Sequence, residues 1–222
     1  MVRVIICGSR SLQDVKMLAE NGVDGIGLIT EVWQEIPCNL ARTQAREFNQ
    51  AIPPLVAGIL IVTEEDPDRI REMVEMVKPD LLQLQGFNPA SQLRQLKERI
   101  GVKIIKVLHA QGDGLVEPGD PVECALEYRE AGADAILLDT YRPGKVGATG
   151  RPASWKLARK IRDEIAPTPF ILAGGLNEDN VMEAIQTVQP FAVDVFSGVI
   201  TEGYLDPGKV ARLVQKVKVR SS

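Results

Sequence analysis

Short apolar runs of four to eight residues alternate with longer amphipathic stretches along the chain, and the alternation repeats eight times. The runs predict strands at residues 3–7, 25–29, 55–62, 81–84, 102–108, 135–138, 170–173 and 192–195. The stretches between and after them carry helical spacing at 12–21, 40–49, from 66 onward, 89–100, 121–131, 154–165, 177–188 and 207–219. Leu12, Val15, Leu18 and Ala19 give the first helix an apolar face. Ile70, Met73, Val74 and Val77 do the same for the third.

Local signals bound these elements. Asp66-Pro67 places an acceptor at the N-cap and a proline in the first turn, Pro53-Pro54 breaks the chain before the third strand, and Asn177 is expected to cap the seventh helix. Gly22-Val23-Asp24 and Gly132-Ala133-Asp134 recur as helix-to-strand stops. Continuous apolar strands separated by helices signify a parallel sheet covered on both faces. An open doubly wound sheet and a closed barrel both satisfy that pattern. Eight units in 222 residues, without a Gly-x-Gly-x-x-Gly after the first strand, favour a single (β/α)8 TIM barrel spanning residues 1–222.

Composition narrows the function classes. A formal net charge of -4 argues against nucleic acid or an anionic membrane as partner. No apolar run approaches the roughly 20 residues of a membrane span. The opening M-V-R-V-I-I-C-G meets Gly8 too soon to be a signal peptide. Cys7, Cys38 and Cys124 form no framework and suit a reducing cytoplasm. With one histidine, His109, the chain offers no metal-ligand cluster, and His109 is expected to be structural or loop-facing. Monomer and homodimer both stay open.

In a barrel of this kind the site lies at the C-terminal strand ends. Those ends carry Cys7, Thr30, Thr63, Gln85, His109, Asp139, Gly174-Gly175 and Ser197-Gly198. Glycines directly after the seventh and eighth strands allow close backbone approach, so Gly174, Gly175, Ser197 and Gly198 are candidate phosphate contacts, with Gly147-Ala148-Thr149-Gly150 as a further contributor. A carboxylate at the mouth of an apolar strand is costly unless solvated, paired or used, which singles out Asp139. Cys7 and Asp139 together suit proton transfer on a phosphorylated substrate, provided the thiol pKa is lowered and the carboxyl pKa raised. Taken alone, Cys7 is a small buried hydrophobe and Asp139 a turn cap.

The order of I-C-G at the first strand, D-L-L-Q-L-Q-G at 80–86, L-L-D at 137–139, G-A-T-G-R at 147–151, L-A-G-G-L-N at 172–177 and D-V-F-S-G-V at 194–199 resembles the phosphoribosylanthranilate isomerase family of tryptophan biosynthesis. The resemblance implies an Amadori rearrangement, with Asp139 as general acid and Cys7 as general base. It further implies the phosphate on Gly174, Gly175, Ser197 and Gly198, Asp194 near the anthranilate amine, and no metal or organic cofactor. The chain departs from the family at the aromatic-acid end. Cys38 stands where the family has an arginine, Gln85 where it has a histidine, Ile5 for a lysine and Ile200 for a glutamate. Arg42, one turn on, is the candidate substitute for the missing arginine. Two other readings fit the same residues: a related barrel for a different phosphoribosyl adduct, and a non-catalytic phosphoribosyl-binding barrel.

Overall fold

The computed structural model describes residues 1–142, 145–146 and 154–219. Eight parallel strands form the inner wall: β1 (Arg3–Cys7), β2 (Gly25–Ile29), β3 (Ala57–Val62), β4 (Leu81–Leu84), β5 (Lys103–Gln111), β6 (Ala135–Arg142), β7 (Phe170–Leu172) and β8 (Ala192–Val195). Each strand pairs in parallel with the next. The ring closes where β8 pairs with β1, Arg3 opposite Ala192 and Ile5 opposite Asp194. The fold is therefore a closed (β/α)8 barrel and not an open sheet.

Helices α1 (Leu12–Glu20), α2 (Arg42–Ala51), α3 (Pro67–Val77), α4 (Ala90–Arg99), α5 (Pro121–Glu130), α6 (Trp155–Glu164), α7 (Val181–Val188) and α8 (Pro207–Val219) surround it. Among the described residues, no helix is long and apolar enough to cross a membrane.

Strand periodicity splits the apolar residues into two cores. Ile5, Cys7, Ile59, Ile61, Ile105, Val107, Leu137 and Ile171 fill the barrel interior. Val4, Ile6, Ile26, Leu28, Leu60, Leu82, Leu84 and Leu138 face outward and pack with Val15, Leu18, Met73, Leu93 and Ile161 of the helices. The same parity aims the polar residues at the strand tops inward: Gln83, Gln85, Asp139 and Asp194 are all buried.

At the opposite rim three aspartates do a second job. Asp24 Oδ2 accepts from the Val4 N–H, Asp80 Oδ2 from Gly58, and Asp134 Oδ2 from Ile104, each at 2.7 Å. Each carboxylate stands just before an even-numbered strand and holds the start of the strand before it. Gly22 and Gly132, at φ 74° and 103°, supply the left-handed turns that deliver two of them.

Several elements differ from the sequence expectation, among them the fifth strand, which runs on to Gln111, and the second helix, which lies two residues later, at Arg42–Ala51. The third strand begins at Ala57 rather than residue 55, because Leu55 sits at φ 74°, outside the strand conformation. The sixth strand continues past Asp139 to Arg142, since pairing with β5 persists through His109–Asp139 and Ala110–Thr140. The seventh helix begins at Val181 with Asn180 at its N-cap. Asn177 instead accepts from the Asp179 and Asn180 N–H groups, forming the turn that leads into the helix.

Candidate active site

A cavity of about 490 Å³ opens at the C-terminal ends of the strands, a size suited to a small phosphorylated metabolite. Cys7, Gln83, Gln85, Asp139 and Asp194 line it, along with Gly174, Gly175 and Ser197. Val32, Trp33, Gln34, Glu35 and Ile36, from the loop between β2 and α2, and Phe196 supply its other wall.

Cys7 ends β1 and Asp194 lies near the end of the adjacent β8. The Cys7 thiol donates to Asp194 Oδ1 at 3.0 Å. Gly27 makes room for it, since a Cβ there would overlap the Cys7 sulphur. Burial pushes the thiol well above its ordinary value, and the Asp194 charge pushes it in the same direction. Both effects run against the lowered thiol pKa that a general base at this position calls for. The hydrogen bond has an acceptor at its far end, however: burial raises Asp194 to about 7, despite the opposing Cys7 hydrogen bond.

Asp139 projects inward from β6. Its Oδ1 accepts the Thr140 N–H at 2.7 Å, and its Oδ2 accepts the Gln85 side-chain amide at 3.2 Å. Burial raises its pKa to about 6, while His109, the Thr140 N–H and the Gln85 amide all act to lower it. A carboxyl poised there is a competent proton donor near neutral pH. Gln85 is held in turn by Gln83, whose Nε2 donates to Gln85 Oε1 at 2.9 Å. Gln83 Oε1 and Gln34 Nε2 are buried without a partner, leaving one acceptor and one donor on cavity-lining residues.

The glycine turn expected to take a phosphate lies on the cavity wall. Gly174 and Gly175 adopt φ 84° and 66°, and a Cβ on Gly174 would lie 2.7 Å from the Thr140 nitrogen. The Asn180 amide donates to the Gly175 carbonyl at 2.9 Å, fixing that turn against α7. Ser197 joins the lining from the short 3-10 turn Ser197–Val199. Gly198 is not among the lining residues. It is glycine because its Cα packs against the Leu176 carbonyl and Asn177, where any side chain would overlap backbone. Residues 147–150, the expected further contributors, lie outside the described residues.

Arg42 is not brought to the cavity. It sits in the first turn of α2 with its guanidinium Nε 2.9 Å from Glu31 and an Nη 3.6 Å from Glu72, so two carboxylates already engage it outside the site. Among the described lining residues there is no lysine or arginine. The sequence reading missed Gln83 and the Trp33–Glu35 wall. The inward parity of Leu81, Gln83 and Gln85 could have found the first.

The chain matches the family model for N-(5'-phosphoribosyl)anthranilate isomerase over residues 4–216. It is 36% identical over 222 residues to the N-(5'-phosphoribosyl)anthranilate isomerase of Methanosarcina acetivorans, covering 97% of this chain and 93% of that one. The structure resembles phosphoribosyl anthranilate isomerase from Thermotoga maritima with TM-score 0.84 and 32% identity, covering 99% of this chain and all of the other. It also resembles, at TM-score 0.80, 31% identity and the same coverage, a phosphoribosyl anthranilate isomerase in complex with reduced 1-(o-carboxyphenylamino)-1-deoxyribulose 5-phosphate. With an acid, a thiol and a glycine cradle facing one cavity of such a barrel, the chain belongs to the N-(5'-phosphoribosyl)anthranilate isomerase family.

Proposed function

We propose that this protein catalyses the Amadori rearrangement of N-(5-phosphoribosyl)anthranilate to 1-(2-carboxyphenylamino)-1-deoxyribulose 5-phosphate, in tryptophan biosynthesis. The observation that carries the reading is a buried carboxyl, Asp139, and a buried thiol, Cys7, on the same cavity as the Gly174-Gly175 turn.

The phosphate occupies the Gly174, Gly175 and Ser197 backbone, with Gly198 shaping the turn beneath it. Asp139 gives its proton to the ribose ring oxygen, the C1–O bond breaks, and a protonated Schiff base forms. Cys7 takes the C2 proton, and the electron pair moves to the imine to give an enolamine. Loss of the hydroxyl proton and protonation at C1 then yield the ketone. C2 is oxidised and C1 reduced within one molecule, so no external redox partner enters the balance. Asp194 is the neighbour positioned to take the Cys7 proton as the thiolate forms, and holding the substrate amine is the role the family resemblance gives it. Gln34 and Gln83 offer hydrogen bonds to the remaining polar groups. The three free thiols accord with a reducing cytoplasm as the place of work.

A steady-state assay on freshly prepared phosphoribosylanthranilate, following loss of anthranilate fluorescence, tests this. Cys7→Ser and Asp139→Asn are each expected to lower kcat by about two to four orders of magnitude. Near-wild-type turnover in either variant removes that residue from the mechanism. A second reading, a phosphoribosyl adduct other than anthranilate's, is favoured by the acidic Glu35 and the absence of a cation among the described lining residues. A folded protein that binds phosphate esters and leaves phosphoribosylanthranilate unchanged selects it.

A further inference from the structure

His109 occupies a place that the proposed reaction leaves unexplained. It is fully buried at the top of β5, and its pairing position in the sheet is opposite Asp139 on β6. Its Nδ1 lies 2.6 Å from Glu117 Oε1, and its Nε2 lies 3.0 Å from the Gln85 backbone carbonyl. A carboxylate and a carbonyl both only accept hydrogen bonds. Only a ring with a proton on each nitrogen can donate to both.

The surroundings agree. The two Glu117 oxygens also accept the His109 backbone N–H at 3.3 and 3.2 Å, which a carboxylate does well. Burial pushes the Glu117 carboxyl up, but the His109 hydrogen bond and charge outweigh burial and hold it below its usual range. Phe87 packs its ring 4.5 Å from the imidazole, centroid to centroid. Lys106, three residues earlier on β5, is itself buried, and its ammonium adds positive charge near Glu117 while donating to the Gly86 carbonyl at 2.7 Å. The charged and titratable groups of this cluster, among the described residues, include Glu117 from the loop after β5, Lys106 on β5 and Asp139 on β6, with Glu65 acting on Lys106.

We infer that His109 and Glu117 form a buried, charged positioning pair, which pins Gln85 against Asp139 and sets a fixed positive charge beside that carboxyl. The inference rests on Asp139 being the reaction's acid. His109 does not line the cavity, so it acts through Gln85 and through its field, not on substrate. The charge opposes the effect of burial on Asp139. It keeps the acid strong enough to release its proton to a ring oxygen, and it steadies the carboxylate left behind.

The chain's single histidine makes the test direct, because a 15N-histidine NMR spectrum of the untagged protein reports one residue. Both ring nitrogens are expected at imidazolium shifts at pH 7 without substrate. A neutral tautomer overturns the inference. In Glu117→Gln the ring is expected to lose a proton by pH 7, and an unchanged imidazolium overturns the pairing. In His109→Gln the Asp139 carboxyl, followed by 13C-aspartate NMR, is expected to titrate about one pH unit higher, as is the alkaline limb of kcat/KM. A packing role alone leaves that midpoint where it was. Should His109→Gln not fold, the wild-type and Glu117→Gln spectra still decide. A charged His109 in a protein inert on phosphoribosylanthranilate overturns the proposed function alone, and turnover with a neutral His109 overturns the present inference alone.

Discussion

Replacing Asp139 by asparagine is expected to stabilise the protein more at alkaline pH than at acid pH while abolishing turnover. Burial raises the Asp139 pKa from an ordinary 3.8 to about 6, so the folded state binds its proton more tightly than the unfolded chain does. The stability this contributes is fully present below the unfolded value and is lost as pH rises through the folded one. The whole loss amounts to about 3 kcal/mol, roughly half of it gone by pH 5 and nearly all by pH 8. An amide at this position does not titrate. The advantage of Asp139→Asn over wild type should therefore grow by about 1.4 kcal/mol between pH 5 and pH 8.

The substitution also carries a pH-independent cost. Gln85 now donates to Asp139 Oδ2, and an asparagine NH2 facing it would force one amide to turn and disturb the Gln83 hydrogen bond. That cost cancels in the comparison between two pH values; the Asp139 charge also raises Asp194, so its removal lowers Asp194 and adds to the variant's gain at alkaline pH in the same direction. Urea unfolding of each protein at both pH values gives the four free energies required. A stability difference that is flat with pH, or falls as pH rises, refutes the argument that a buried, proton-retaining carboxyl occupies this site.

Two further outcomes bear on neighbouring parts of the site. Gly27→Ala places a methyl where the Cys7 sulphur lies, and kcat is expected to fall by about 10²-fold through displacement of the thiol; unaltered kcat in a folded variant would mean that the thiol position is not critical. Arg42→Ala is expected to leave kcat/KM within about twofold and stability within about 1 kcal/mol, because its ion pairs are partly solvated. A tenfold rise in KM would bring Arg42 back to the substrate.

The barrel was legible because its signal is repeated eight times, and local errors such as the start of β3 do not disturb an alternation of that length. The Gly174-Gly175 turn was legible for a related reason: both residues take a left-handed backbone, and glycine advertises that requirement in sequence. Charge partners were not legible. Arg42 lies close along the chain to the Cys38 position, but its direction is set by Glu31 and by Glu72 on another helix, a pairing that exists only once α2 and α3 are packed. The sequence likewise placed Cys7 at a strand end without showing that Asp194, 187 residues away, would share its proton. The state of the thiol follows from that neighbour and from burial, and neither is a property of the strand that carries it.

The three aspartates at the lower rim lace the strands in pairs, first to second, third to fourth and fifth to sixth. Their carboxylates do not lace second to third or fourth to fifth. The first six strands are thus three two-strand modules, each with its own carboxylate tie, joined to one another and to the β7–β8 pair by the backbone ladder and by packing. The chain could be reopened in the loop between α2 and β3, with its two ends joined, without separating any aspartate carboxylate from the amide it holds. A break between β1 and β2 or between β3 and β4 would divide a module from its tie. The same rim that carries no chemistry therefore marks the joints at which this barrel divides.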